Sequence, residues 1–96
     1  MYATLRQYKG MQANAIEELT RRHQDVESLL KKVPGFEMYH LLKTPDGMTS
    51  VTVCKDQAGT EESTRRVAAW IKEQMPTFLP TPPEVSAGEV FIHAAK

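Results

Sequence analysis

The chain has 96 residues, enough for one domain over residues 1–96 with one small core. Its 12 Lys and Arg balance 12 Asp and Glu, so bulk charge draws it neither to nucleic acid nor to an anionic lipid surface. The single cysteine, Cys54, excludes an internal disulfide.

Tyr2 to Tyr8 alternates and is rich in β-formers, which predicts a first strand ended by Gly10. This opening carries no signal-type apolar stretch, and no run in the chain is long enough to span a bilayer. The expected location is a reduced cytoplasm. From about Gln12 to Val33, the residues Ile16, Leu19, Val26, Leu30 and Val33 recur at helical spacing and form one apolar stripe. Glu17 with Arg21, Glu18 with Arg22 and Glu27 with Lys31 fall at i,i+4 off that stripe and suit a solvated face. His23 lies within the stripe and reads as a core or edge histidine bonded to backbone. Pro34 and Gly35 stop the helix.

A second strand opens at Phe36 and runs into Thr44-Pro45-Asp46-Gly47, a hairpin turn. A type I turn with Gly47 left-handed and a following bulge closes Thr44 against Met48. Leu41 then faces Val51 and Tyr39 faces Val53, while His40 meets Thr52 and Met38 meets Cys54. A slip of one residue would exchange the two faces. Asp56 or Thr60 can cap a second helix, whose inner stripe is Thr64, Val67, Ile71 and Met75 with Ala68 and Trp70 beside it. Glu61 with Arg65 and Glu62 with Arg66 pair outside. Pro76, Pro80, Pro82 and Pro83 forbid helix and predict an extended connection. Val85 to Ala94 reads as the last strand, with Val90 and Ile92 on one face and Glu89, Phe91 and His93 on the other.

The order β-α-β-β-α-β predicts an α+β, ferredoxin-like domain with an antiparallel sheet. One sheet face would carry Ala3, Leu5, Leu41, Val51, Val53, Val90 and Ile92 beneath the helices. The other would carry Thr4, Arg6, Tyr8, Met38, His40, Leu42, Thr52, Cys54, Phe91 and His93. A monomer would leave Met38, Leu42 and Phe91 of this second face in water. It is therefore expected to pair with a second copy of the chain and enclose a cavity.

Five segments carry a family resemblance: Val33-Pro34-Gly35-Phe36, Leu41-Leu42 with Asp46-Gly47, Val51 to Asp56, Ala69-Trp70-Ile71, and Pro83-Glu84-Val85 with Gly88-Glu89. In this order and spacing, the chain from Tyr2 to His93 resembles the antibiotic biosynthesis monooxygenase-type proteins of the dimeric α/β-barrel superfamily. The resemblance implies a homodimer that joins two four-stranded sheets into a barrel. Some members oxidise aromatic polyketides with molecular oxygen and no cofactor, some degrade haem, and many have no assigned activity. The haem-degrading branch uses an Asn on the first strand with a Trp and a His on the second helix. Only Trp70 matches, so haem degradation is set aside. The polyketide-oxidising branch relies on cavity Tyr, Trp, Asn and Arg, parts that Arg6, Tyr8 and Trp70 could take.

The candidate chemistry is sparse. His40 and His93 are general-base candidates near neutral pH; a hydrogen-bonded structural histidine is the commoner role. Cys54 is a nucleophile candidate without a basic neighbour in sequence, and small buried cysteines usually pack. An inward Arg6 needs a carboxylate, for which Glu89 is available, or a bound anion. Trp70 either roofs the cavity or packs at the stripe edge. No metal site is expected, because His23, His40 and His93 share no ligand spacing and Cys54 has no CxxC companion. RNA-recognition domains use the same element order, but the third strand, Met48 to Cys54, has no stacking aromatic. The expected function is small-molecule binding with cofactor-free oxygenation of a small aromatic or polyketide-like compound. Arg6, His40 and His93 would serve catalysis, and Thr4, Tyr8, Met38, Thr52, Cys54, Trp70 and Phe91 would contact an aromatic or anionic ligand. The alternative is a ligand-binding or structural dimer without turnover. No cofactor, nucleic acid or membrane partner is expected.

Overall fold

A computed structural model describes residues 1–76 and 82–96. Six elements follow in order: β1 (Tyr2–Lys9), α1 (Ala13–Lys31), β2 (Phe36–Thr44), β3 (Gly47–Cys54), α2 (Gln57–Gln74) and β4 (Glu84–Glu89). The strands form one antiparallel sheet in the order β2-β3-β1-β4, the ferredoxin-like arrangement. Pro80 lies outside the described residues.

The helices form for local reasons. In α1 the buried residues Ala15, Leu19, Val26 and Leu30 repeat at helical spacing, and the last three meet Tyr8, Met48, Val67 and Met75 in the core. Gly35, at φ +83°, then turns the chain into β2, where its carbonyl accepts from Lys55 N at 2.7 Å. The cap of α2 is Asp56, whose carboxylate accepts from Gly59 N at 2.9 Å; Thr60 instead donates to Gln57 O. The surface pairs are Glu18 with both Arg21 and Arg22, Glu27 with Lys31, and Glu62 with both Arg65 and Arg66. Arg21 thus takes Glu18 rather than Glu17, and Glu61 bonds Gln57 rather than Arg65.

The hairpin register differs from the expected one by one residue. Thr44 pairs with Gly47, Leu41 with Ser50, His40 with Val51 and Tyr39 with Thr52. The extra residue sits at the far end of the hairpin, where the register shifts between Phe36 and Met38. Pro45-Asp46 is therefore a two-residue loop. It is pinned to the end of β1, with Gly10 N bonded to Asp46 O at 2.7 Å. Tyr39 and Leu41 keep their places under the helices, but β1 and β3 are turned over. Thr4, Arg6, Tyr8, Met48, Ser50, Thr52 and Cys54 are buried on the helix side. Ala3, Leu5, Val51 and Val53 lie on the outer face with Met38, His40 and Leu42.

With β1 and β3 turned over together, Arg6 lies under the helices, and Ser50 and Thr52 on the neighbouring strand supply the hydrogen-bond acceptors that its buried guanidinium needs. Alternation alone reads a hydroxyl strand as solvent-facing.

The last strand also ends earlier than expected, at Glu89. Its partner β1 begins at Tyr2, so the pairing runs out; Val90 N still donates to Met1 O at 2.9 Å. Val90, Phe91, Ile92 and His93 therefore lie beyond the strand, with Phe91 88% exposed.

Candidate functional site

Arg6 enters the interior from the middle of β1 and is 1% exposed. Three elements hold its side chain. Nε donates to Ser50 Oγ at 3.1 Å and Nη2 to Thr52 Oγ1 at 2.7 Å, both from β3. Nη1 donates to Thr64 Oγ1 of α2 at 2.9 Å. A guanidinium carries five N–H donors, so these bonds leave two over, and the Tyr8 phenol stands within hydrogen-bonding reach of them. All three acceptors are neutral hydroxyls. Among the described residues no Asp or Glu pairs with Arg6, and Glu89, the carboxylate considered for it, is exposed at the end of β4. A desolvated cation held by hydroxyls retains a charge that an anion could neutralise.

Two cavities open on the helix side. The larger, about 610 Å³, runs between α1 and β2 over Leu19, Phe36, Leu41 and Met48. Its charged groups sit on the rim, where Glu27 and Lys31 pair at 2.9 Å. His23 borders it, exposed, with Nδ1 held 2.7 Å from Thr20 O, as an edge histidine bonded to backbone. The smaller, about 330 Å³, runs between α2 and β1. Arg6, Tyr8 and Thr64 form its polar wall, and Ala68, Ile71, Met75, Pro76, Pro82 and Pro83 form the rest apart from Lys72. A buried charged group converging on an apolar slot is the stronger mark of a ligand site, so the smaller cavity is the candidate.

Trp70 is half-buried and, with Arg6, Tyr8 and Tyr39, borders an inner void of about 20 Å³, room for one water. Thr4 is buried one strand pair away, opposite Thr52, and donates to Ser86 O at 3.4 Å. Cys54 packs against α2 at Gly59, where a Cβ would lie 2.9 Å from the Cys54 Cβ. The sheet thus gathers Arg6, Tyr8, Thr52 and Trp70, with Thr4 and Cys54 further along the same face. It separates them from Met38 and His40 on the outer face and from Phe91 and His93 beyond β4. The single cavity face drawn from the sequence is therefore two surfaces. Ser50, Tyr39 and Thr64 were not read as site residues. Thr64 did carry a signal, as the one polar residue on an apolar helix stripe.

Burial dominates the ionisation of this interior. It pushes the Tyr8 phenol up, with the Arg6 charge opposing in part. It pushes the Tyr39 phenol far up, again against Arg6. The Cys54 thiol is raised by burial first, then by the Asp56 and Glu37 carboxylates. A raised thiol is a poor nucleophile. All three groups ionise more readily when unfolded, so the stability they contribute is complete below the unfolded values of about 9 for Cys and 10 for Tyr. It is lost as pH rises from there through the higher folded values. Denaturant midpoints at pH 8 and pH 11 are expected to show a marked fall at the higher pH, by about 1 kcal/mol or more. An unchanged midpoint would contradict the buried placement.

Among the described residues no three His, Cys, Asp or Glu side chains come together as a metal site, and no helix is long and apolar enough to cross a membrane.

No protein-family model matches the chain, and no curated protein matches it. Solved structures do. The haem degrader MhuD of Mycobacterium tuberculosis, with two haems bound in its active site, is 16% identical with a TM-score of 0.71, covering 99% of this chain and 100% of that one. The monooxygenase ActVA-Orf6 of Streptomyces coelicolor, in complex with nanaomycin D, is 14% identical with a TM-score of 0.69 over 99% and 90% of the two chains. A protein of unknown function from Nitrosomonas europaea is 18% identical with a TM-score of 0.74 over 99% and 92%. The chain has the antibiotic biosynthesis monooxygenase fold. At these identities the likeness is one of fold. The monooxygenase fold here carries a buried Arg6 where side chains of β1 meet α2.

Proposed function

We propose that the slot between α2 and β1 binds a small aromatic molecule bearing an acidic group. The observation that carries this reading is Arg6, buried and, among the described residues, bonded to neutral hydroxyls with no carboxylate partner. Its spare donors suit a carboxylate or phenolate, and the apolar walls suit a flat ring. Cofactor-free oxygenation extends the reading. A phenol bound at Arg6 in a water-poor slot would ionise more readily, and molecular oxygen would oxidise the electron-rich phenolate, one oxygen atom entering the ring as a quinone carbonyl and the other leaving as water with the two hydrogens lost from ring and hydroxyl. Bound nanaomycin D in the monooxygenase of similar fold supports an aromatic polyketide-like substrate class. His40 lies on the outer face, across the sheet from Arg6, and His93 lies beyond the end of β4, so this reading gives neither a role at Arg6. The test is a panel of phenolic and carboxylic aromatics, read by thermal shift and oxygen consumption. At least one acidic member should raise the melting temperature, and its neutral ester should not. Shifts from esters as large as those from acids would refute an anion site. Binding without oxygen uptake would reduce the reading to ligand binding alone.

The second part of the proposal is homodimerisation through the outer sheet face. Leu5, Met38 and Leu42 are exposed there, with Val51 half-buried among them and His40 opposite Val51. A second copy of the same face would cover them. Light scattering is expected to give a dimer, and Leu5→Asp with Val51→Asp a folded monomer. A wild-type monomer at micromolar concentration would refute it.

A further inference from the structure

The slot contains a second cation. Lys72 lines it on α2, eight residues after Thr64, which accepts the Arg6 Nη1 bond. Eight residues of helix rise by about 12 Å. Thr64, Ala68 and Lys72 stand at i,i+4 intervals and so share one helix face. β1 supplies Arg6 at the Thr64 end, and Tyr8 lies further along beside Ile71 and Met75. The slot therefore reads cation, apolar wall, cation. Among the described residues neither Arg6 nor Lys72 forms an ion pair.

We infer that the slot selects a rigid aromatic dianion, with one acid group on Arg6, the second on Lys72, and the ring system against Ala68, Ile71 and Tyr8. The inference rests on the reading of this slot as the ligand site and adds the second acid. The two cations have unlike tasks. The fixed guanidinium fork orients the first acid, while the flexible lysine stem meets the second at the mouth over a range of lengths. Lys72 is exposed, so its contribution is modest and salt-sensitive.

The test uses para-phenylbenzoate and the para,para-dicarboxylate of biphenyl as probes. They share the two-ring body and differ by one carboxylate. Titration calorimetry at low salt is run on wild type, Lys72→Gln and Arg6→Met. Wild type should bind the dicarboxylate about five-fold tighter than the monocarboxylate. Lys72→Gln should cut that preference to no more than the roughly two-fold statistical advantage of a symmetrical diacid and leave the monocarboxylate affinity unchanged, and Arg6→Met should lose both probes. A wild-type preference no greater than that statistical advantage, or an undiminished preference in Lys72→Gln, overturns the dianion inference and leaves the slot as a ligand site. An equal loss of both probes in Lys72→Gln also overturns it, because Lys72 would then act only as general positive charge. No binding of either probe, or full binding by Arg6→Met, overturns the ligand-site reading and this inference together.

Discussion

Arg6→Met is expected to keep the protein folded, within about 1–2 kcal/mol of wild type or more stable, while removing its affinity for acidic aromatics. The reasoning turns on what the substitution leaves behind. Removing one member of a buried ion pair strands a charge and costs about 3–5 kcal/mol. Here the partners are the hydroxyls of Ser50, Thr52 and Thr64, so no charge is stranded. Each lost hydrogen bond to the guanidinium is worth about 1.5–3 kcal/mol. Against that stands the relief of an uncompensated buried cation, several kcal/mol in the same range. A methionine fills much of the volume along the arginine stem. Binding responds differently. An anion still brought into the slot would lose its counter-charge, at a cost of about 2–5 kcal/mol in affinity. Urea unfolding and ligand titration of the same variant separate the two. A stability loss above about 3 kcal/mol would mean that Arg6 is a structural residue. Undiminished ligand affinity would exclude it from the site.

Gly47→Ala should be among the most damaging substitutions of a single methyl in this chain. A Cβ at position 47 would lie 1.9 Å from Tyr8 O and 3.3 Å from the Lys9 Cα. Both contacts are backbone, so no flexible side chain can swing away. Gly47 pairs with Lys9 on one side and Thr44 on the other, and relief would require β1 and β3 to part at the turn. The expected loss is about 3–5 kcal/mol, in the range reserved for overpacking that the structure cannot absorb. Gly10→Ala is the internal comparison. Its φ of +75° is strained for alanine, but no atom lies within 4 Å of a Cβ there. Only the backbone term remains, about 1 kcal/mol. Equal losses in the two variants would show that the β1–β3 approach is looser than drawn. Tyr8 lines the slot next to this contact, so any folded Gly47→Ala protein should also bind acidic aromatics more weakly.

The sequence by itself determined the elements and their order. Pro34-Gly35 ends the first helix, Asp56 or Thr60 opens the second, with Asp56 the cap in the structure, and the apolar spacing of Leu19, Val26 and Leu30 places one helix face in the core. These are local effects, written within a few residues of where they act. Tyr39 and Leu41 lie under the helices as expected, although Met38 and Leu42 on the other face of β2 are apolar as well, so alternation alone does not decide the facing of that strand. The facing of β1 and β3 was decided only by tertiary structure. Strand periodicity is two, so a single residue moved from the turn to the bulge after Phe36 reverses every side chain of β3. With that facing, Arg6 reaches Ser50, Thr52 and Thr64 across 44 to 58 residues of chain, contacts that no local pattern announces. Hydropathy sets Thr4, Arg6, Ser50 and Thr52 away from the core, whereas inside it Arg6 donates to Ser50 and Thr52, and Thr4 donates to the Ser86 carbonyl. This facing leaves Leu5, Val51 and Met38 on the outer face. It also puts the sheet between Arg6 and His40, which one-dimensional alternation had set side by side.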